Sequence, residues 1–210
     1  MAFRSDNTLI KFLSLISDAM IVGLLWLLTS LLVVTIGAST TAAYYVLLRR
    51  ISDRESSIVS DYFKSFKENF KNSTIIFIVI SLFSLLNLYN MLYNQVSGIF
   101  GLIIYGLQII LGIELIFVYI HFFPLAARFD LRLKQLVRTA IILANKHLFI
   151  TLTHGALLVA IVWFSLNAPF VIVFSVGFYC WLSSYMLIKV YRKYKPDMDK
   201  DMTTEAEESK

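Results

Sequence analysis

The sequence predicts an all-α polytopic membrane protein, a transmembrane bundle of five to six helices with amphipathic interfacial helices on the cytoplasmic side. Of its 210 residues, 58% are hydrophobic and 16% are charged, a composition too apolar for a soluble domain. Residues 19–48, 72–113 and 147–188 contain no Asp, Glu, Lys or Arg. All 19 Lys and Arg residues lie outside these blocks, which is the distribution that membrane helices and their cytoplasmic loops show.

The number of membrane helices follows from the lengths of the apolar blocks. One span needs about 20 apolar residues, so 72–127 and 147–188 each predict a helical hairpin. The block 19–48 is long for one span and short for two. We favour helix 1 over Leu13–Val34, crossing outward, and a shorter helix 2 over Ser39–Arg50 that returns from within the outer leaflet. The alternative has five helices and an N-terminus outside.

The Lys and Arg residues also predict the orientation. They are concentrated in 49–71, in 128–146 and towards the C-terminus, whereas neither hairpin tip carries any. Cytoplasmic loops collect these residues, so the C-terminus is expected in the cytoplasm, together with the N-terminus in the six-helix arrangement. Residues 1–195 then form a single transmembrane helical domain. The polar, acidic segment 196–210 is expected to be a disordered cytoplasmic tail.

Two segments have the pattern of amphipathic helices at the cytoplasmic interface. In Ile58–Lys71 and Asp130–Lys146 apolar residues recur at helical spacing, and Lys and Arg occupy much of the remaining surface. The first segment also offers a compact aromatic anchor for a protein partner. Its candidate contact residues are Phe63, Phe66, Lys67 and Phe70. Plain docking on the membrane explains the same pattern, and we favour it from the residues alone.

Small and hydroxyl residues interrupt the first apolar block between Thr35 and Tyr45. If helix 2 begins at membrane depth, its first backbone N–H groups lack partners, and nearby hydroxyls are suited to cap them. Discontinuous membrane helices also bind solutes. The candidates for a helix break or a solute contact are Thr35, Gly37, Ser39, Thr40 and Thr41. We favour the structural interpretation, because small and hydroxyl residues commonly join membrane helices.

Four intramembrane polar residues are candidates for handling protons or a solute. They are Asn87, Glu114, His121 and His154. Glu114 is expected to face the bundle interior, since ionisable groups at membrane depth are costly and often functional. The alternative is a Glu114 that makes a single structural hydrogen bond. No metal or other cofactor is expected, because the chain has no His-x-x-x-His and no Cys cluster.

One block resembles a known family. The stretch Trp26–Thr40, continuing to Tyr44 and Tyr45, resembles the signature of the YesL-like family, domain of unknown function 624 (DUF624). Asp61–Lys71 is similar to that family's second recurring block. One departure is Leu32, where the family often has Pro. The resemblance implies a small protein of the bacterial cell membrane, encoded beside carbohydrate ABC importers, and a place in sugar or oligosaccharide uptake.

Three function classes follow. The resemblance favours an accessory protein that binds a carbohydrate ABC permease. The intramembrane polar residues suggest instead a stand-alone transporter or channel with a solute- or proton-handling site near Glu114. An intramembrane enzyme is not expected, because the chain has no Gly-rich phosphate loop, no Gly-x-Ser-x-Gly and no His-Glu-x-x-His. The high isoelectric point (≈ 9.3) reflects the positive cytoplasmic loops and suits anionic lipid headgroups. It is therefore no sign of nucleic-acid binding.

Overall fold

The regular elements are all helical in the part of the chain that the structure, a computed structural model, describes: residues 8–52, 57–93, 96–168 and 172–194. The predicted tail 196–210 lies outside these residues. The helices are α1 (Thr8–Thr29), α2 (Ile36–Ile51), α3 (Ile58–Tyr93), α4 (Gly98–Arg128), α5 (Leu133–Lys146), α6 (Leu148–Asn167) and α7 (Ile172–Tyr194), with a 3₁₀ turn at Val33–Thr35. Three of them (α3, α4 and α6) are long and apolar enough to cross a membrane. The predicted all-α class is confirmed for the described residues, and three of their helices could span a membrane. The number of spans and the orientation stay predictions.

The break between the first two helices lies earlier in the chain than the sequence predicts. Helix α1 ends at Thr29 rather than Val34, and α2 begins at Ile36 rather than Ser39. Gly37 and the following hydroxyl residues are therefore inside α2. The reason is that Ser and Thr hydroxyls can bond to the carbonyl four residues earlier and so fit within a helix.

The first predicted interfacial helix is not a separate element. Ile58–Lys71 continues without interruption into the apolar stretch that follows, and α3 contains neither Gly nor Pro, the residues that most often break a helix. The second amphipathic segment is separate. It forms α5, which begins at Leu133 rather than Asp130, and His147 alone separates it from α6.

Helix α2 lies at the centre of the bundle and packs against α1, α3, α4 and α7. Its residues from Gly37 to Leu48 are buried except for the half-buried Tyr45. Small residues along this stretch let the neighbouring backbones approach closely. Two ion pairs hold the end of α2: Arg50 Nε lies 3.2 Å from Asp18 Oδ2 of α1, and Arg49 Nε lies 3.5 Å from Asp61 Oδ2 of α3.

Helices α1 and α2 form an antiparallel hairpin. Asp18 meets Arg50 at one end, and Thr29 meets Ser39 at the other. The 16 residues of α2 span about 24 Å at 1.5 Å per residue, less than the roughly 30 Å hydrocarbon thickness of a bilayer. The turn carries exposed apolar side chains at 31–34, which suit hydrocarbon. This geometry favours the six-helix prediction, in which the α1–α2 hairpin enters the membrane from the cytoplasmic side and returns to that side.

Burial is concentrated towards one end of the bundle. In α3 the buried residues lie between Ile58 and Ile80, and in α4 they lie between Val118 and Ala127 apart from Gly101. The intervening part of this helical hairpin is largely apolar and exposed. Lipid covers such a surface in a membrane, so the protein core is the end of the bundle that contains α2.

Helix α2 lies very close to α3 at Gly37. A Cβ atom there would overlap the carbonyl oxygen of Ser73 and come within 2.7 Å of Phe77 Cβ. Backbone atoms cannot move aside as a flexible side chain can. Gly37 therefore sets the spacing of these two helices.

We expect Gly37→Ala to lower the free energy of unfolding by about 1–3 kcal/mol, the usual cost of overpacking a core. Gly106→Ala is the matched control, because a Cβ at this helical glycine of α4 meets nothing within 4 Å. The control should be neutral or stabilising by about 0.5–1 kcal/mol, since Ala favours a helix over Gly. Unfolding in mixed micelles, followed by circular dichroism, measures both. Equal effects of the two substitutions would show that Gly37 is not a packing constraint.

Candidate functional site

The hydroxyl groups around the α1–α2 turn bond to carbonyl oxygens. The Thr35 hydroxyl lies within hydrogen-bonding distance of the carbonyl oxygens of Thr29 and Leu32. Each of the three hydroxyl residues that follow donates to the carbonyl four positions earlier: Ser39 to Thr35, Thr40 to Ile36 and Thr41 to Gly37. The side chain of Thr35, which precedes α2, caps no N–H group. The expected capping role of these hydroxyls is therefore wrong.

The same hydroxyls also join three helices. We call this group the hydroxyl cluster: Trp26, Thr29, Ser39, Thr40, Thr41, Tyr62 and Ser73. Its links are Trp26 Nε1 to Thr40 Oγ1 (3.0 Å), Thr29 Oγ1 to Ser39 Oγ (2.9 Å), Thr29 Oγ1 to Tyr62 OH (2.7 Å) and Thr41 Oγ1 to Ser73 Oγ (2.8 Å). The five residues predicted to break a helix or touch a solute are all buried. The cluster therefore serves to hold α1, α2 and α3 together.

Two of the four predicted intramembrane polar residues lie apart from the others. The Oε2 atom of half-buried Glu114 accepts a hydrogen bond from Asn145 Nδ2 at 3.2 Å. The Nδ2 atom of Asn87 donates to the carbonyl oxygen of Gln108 at 3.2 Å. Glu114 thus faces α5 rather than the bundle interior. The reason is that α5 packs along α4 and brings an amide partner to the carboxyl group.

The other two residues, His121 and His154, form a buried pair between α4 and α6. Their rings are 1% and 0% exposed, and the ring centroids are 6.4 Å apart at an angle of 75°. His121 Nε2 lies 2.8 Å from Thr151 Oγ1. Within the described residues, His121 Nδ1 and both ring nitrogens of His154 make no hydrogen bond of normal geometry. No group of three or more His, Cys, Asp or Glu side chains suited to a metal occurs in that part of the chain.

Residues that the sequence analysis did not single out surround this pair. Thr151 is buried and bonds His121. Tyr44 OH donates to Ser183 Oγ at 3.0 Å, and the backbone of Ser183 lies close to His154. Thr151 could have been found, because it precedes His154 by three residues and so shares its helical face. No pattern in α7 distinguishes Ser183.

The predicted contact residues on α3 form a partly exposed aromatic surface, which we call the Phe surface: Phe63, Phe66, Lys67 and Phe70. Phe63 is 41% and Phe70 40% exposed. Phe66 is half-buried, and its ring lies 5.5 Å from that of Phe70 and 6.5 Å from that of Tyr62. Lys67 is exposed. Two phenyl rings and one ammonium group are thus available to a neighbouring molecule.

The Thr41–Ser73 link allows a test of the cluster's structural role. We expect Thr41→Val to cost about 1–3 kcal/mol, because it leaves the buried Ser73 hydroxyl without its partner. The double variant with Ser73→Ala should lose less than the sum of the two single losses, since both partners are then gone. Reversible unfolding in mixed micelles gives the four free energies. Thr153→Val, at a half-buried site on α6, controls for the loss of a hydroxyl. Additive losses in the Thr41 and Ser73 variants would argue against the link.

The comparisons with known proteins agree with the resemblance noted above. The family model described as "Protein of unknown function, DUF624" matches residues 19–91. This segment covers the second half of α1, all of α2 and nearly all of α3, and so contains the hydroxyl cluster and the Phe surface. No curated protein and no solved structure matches the chain. The predicted resemblance is therefore confirmed over this segment: residues 19–91 match the model of the DUF624 (YesL-like) family.

Proposed function

We propose that this protein is an integral membrane accessory protein of bacterial carbohydrate uptake that binds an ABC-type sugar permease through the Phe surface. The place in sugar uptake rests on the YesL-like resemblance. The exposure of Phe63 and Phe70 beside Lys67 is the observation that carries the binding role. In this proposal the protein performs no covalent chemistry.

The face of α3 that lies opposite the Phe surface is anchored in the core. Ile58, Tyr62 and Ser65 are buried, and Tyr62 OH lies 2.7 Å from Thr29 Oγ1 of α1. The exposed rings are therefore held in a fixed position instead of on a mobile loop. A rigid surface loses little conformational entropy on binding, and aromatic side chains often supply most of the energy of an interface.

The interior supports the same proposal. The hydroxyls that were candidates for solute contact are engaged between helices, and Glu114 has an amide partner on α5. The most distinctive polar residues of the family segment thus hold the fold together. This leaves the outer surface of α3 as the part of that segment best suited to recognition.

Co-purification tests the proposal. A tagged copy is extracted from its native membrane in mild detergent, and mass spectrometry identifies what it retains. We expect wild-type protein to retain sugar-permease subunits, and Phe63→Ala with Phe70→Ala to retain at least about 10-fold less, since a 1.4 kcal/mol loss gives that factor. The control is Phe174→Ala with Phe178→Ala on α7, where the two rings are 42% and 44% exposed.

Two outcomes would contradict this function. Wild-type protein recovered alone, from cells in which the permease is expressed, would remove the accessory role. Equal losses of permease subunits in the two double variants would show that retention depends on exposed aromatic area in general and not on the Phe surface.

A second candidate function, a small transporter or channel that handles protons or a solute, is favoured by the His121–His154 pair. Buried polar atoms are normally hydrogen-bonded, and ring nitrogens without such bonds are available to a proton or a solute. A neutral imidazole has one ring nitrogen that donates a hydrogen bond and one that accepts it.

Flux measurements test this candidate. Purified protein in liposomes that contain a pH-sensitive dye should pass protons, and the variant His121→Asn with His154→Asn should fall to the rate of empty liposomes. Glu114→Gln should leave the rate unchanged, since Glu114 faces Asn145 and lies apart from the pair. A wild-type rate equal to that of empty liposomes, with protons and with sugars, would remove this candidate.

A further inference from the structure

A groove of about 680 Å³ lies between α3 and α5, outside the hydroxyl cluster, the histidine pair and the Phe surface. Its lining residues are Ile76, Leu133, Lys134, Val137, Arg138, Ile141 and Ile142. Sites for small molecules have volumes of roughly 300–1,000 Å³, so this groove can hold a molecule of that class. Aliphatic side chains form most of its wall, and two cations are the exception.

The two cations are free to bind an anion. Lys134 and Arg138 are four residues apart, which places them on one face of α5. Both side chains are exposed, and neither forms an ion pair within the described residues. Helix α5 contains no Asp or Glu to compensate them.

The order of the lining residues along α5 specifies the ligand further. Lys134 and Arg138 lie in its first half, and Ile141 and Ile142 follow in its second half. Ile76, on the opposite wall, belongs to the apolar part of α3. A ligand that follows the groove therefore meets cations first and aliphatic side chains afterwards. Phospholipids have this order, with a charged headgroup followed by an acyl chain.

We propose that this groove binds one anionic phospholipid, with its phosphate group at Lys134 and Arg138 and an acyl chain along Ile76, Ile141 and Ile142. Basic pockets on membrane proteins recognise anionic headgroups in this way. Free phosphate would leave the aliphatic wall exposed to water. A phosphatidylcholine headgroup would bring a cationic trimethylammonium group beside two cations. Both are therefore weaker ligands than an anionic lipid.

Native mass spectrometry tests this site. Protein is exchanged into detergent with equal amounts of phosphatidylglycerol and phosphatidylcholine, and the retained lipids are counted. We expect wild-type protein to retain phosphatidylglycerol in preference, and Lys134→Gln with Arg138→Gln to retain at least fivefold less. The matched control is Arg132→Gln with Lys146→Gln, which removes the same charge from both ends of the same segment but from outside the groove.

A second variant tests the acyl-chain part of the groove. Ile142→Trp narrows the groove without changing the charge, so it should also lower retention of phosphatidylglycerol.

Equal losses of phosphatidylglycerol in the two charge variants would overturn the proposal in favour of general surface attraction. Equal retention of both lipids by wild-type protein would overturn the headgroup assignment, and unchanged retention by Ile142→Trp would overturn the acyl-chain assignment. Displacement of the lipid by inorganic phosphate alone would identify an anion site instead. None of these outcomes depends on the permease or on proton flux.

Discussion

The bundle depends on the burial of α2, a helix too short to cross a bilayer and packed against four others. Because many of its residues are small, α1, α3 and α7 can approach its backbone, and at Gly37 the backbone of α3 leaves no room for a Cβ atom. In hydrocarbon there is little hydrophobic driving force between helices, so close packing and hydrogen bonds must supply the association. Both act at α2: its hydroxyls bond to α1 and α3, while Arg49 and Arg50 pair with carboxylates on the same two helices.

The turn before α2 solves a second problem, that of backbone groups in hydrocarbon. Unpaired N–H and C=O groups are costly there, and the residues around the turn satisfy several of them locally. The amide of Thr35 donates to the Leu32 carbonyl, that of Ser30 donates to Trp26, and the Thr35 hydroxyl reaches back to Thr29. A sharp change of chain direction is thus obtained in a turn that contains no Pro.

The sequence predicted the membrane class, because charge-free blocks and the placement of Lys and Arg are linear properties of the chain. It misplaced the start of α2, since Ser and Thr can serve as caps or bond within a helix, and composition does not decide between them. The sequence-based prediction also ended one helix at Lys71 and began another after it. The pattern changes there from amphipathic to apolar, but such a change does not show whether the helix is interrupted. The Glu114–Asn145 contact was not predictable either. It depends on how α5 packs along α4, and no periodicity encodes that arrangement.

The uneven distribution of the core affects how the protein responds to bilayer thickness. Membrane helices adjust to a thinner or thicker hydrocarbon layer mainly by tilting. Because the exposed part of α3 beyond Ile80 continues without interruption from the part that packs against α2, a tilt of α3 also moves its buried contacts. Helix α2 reaches only one membrane surface in the six-helix arrangement, so thickness exerts no direct force on it. A change in bilayer thickness therefore reaches the packed unit around α2 through the continuous helices α3 and α4.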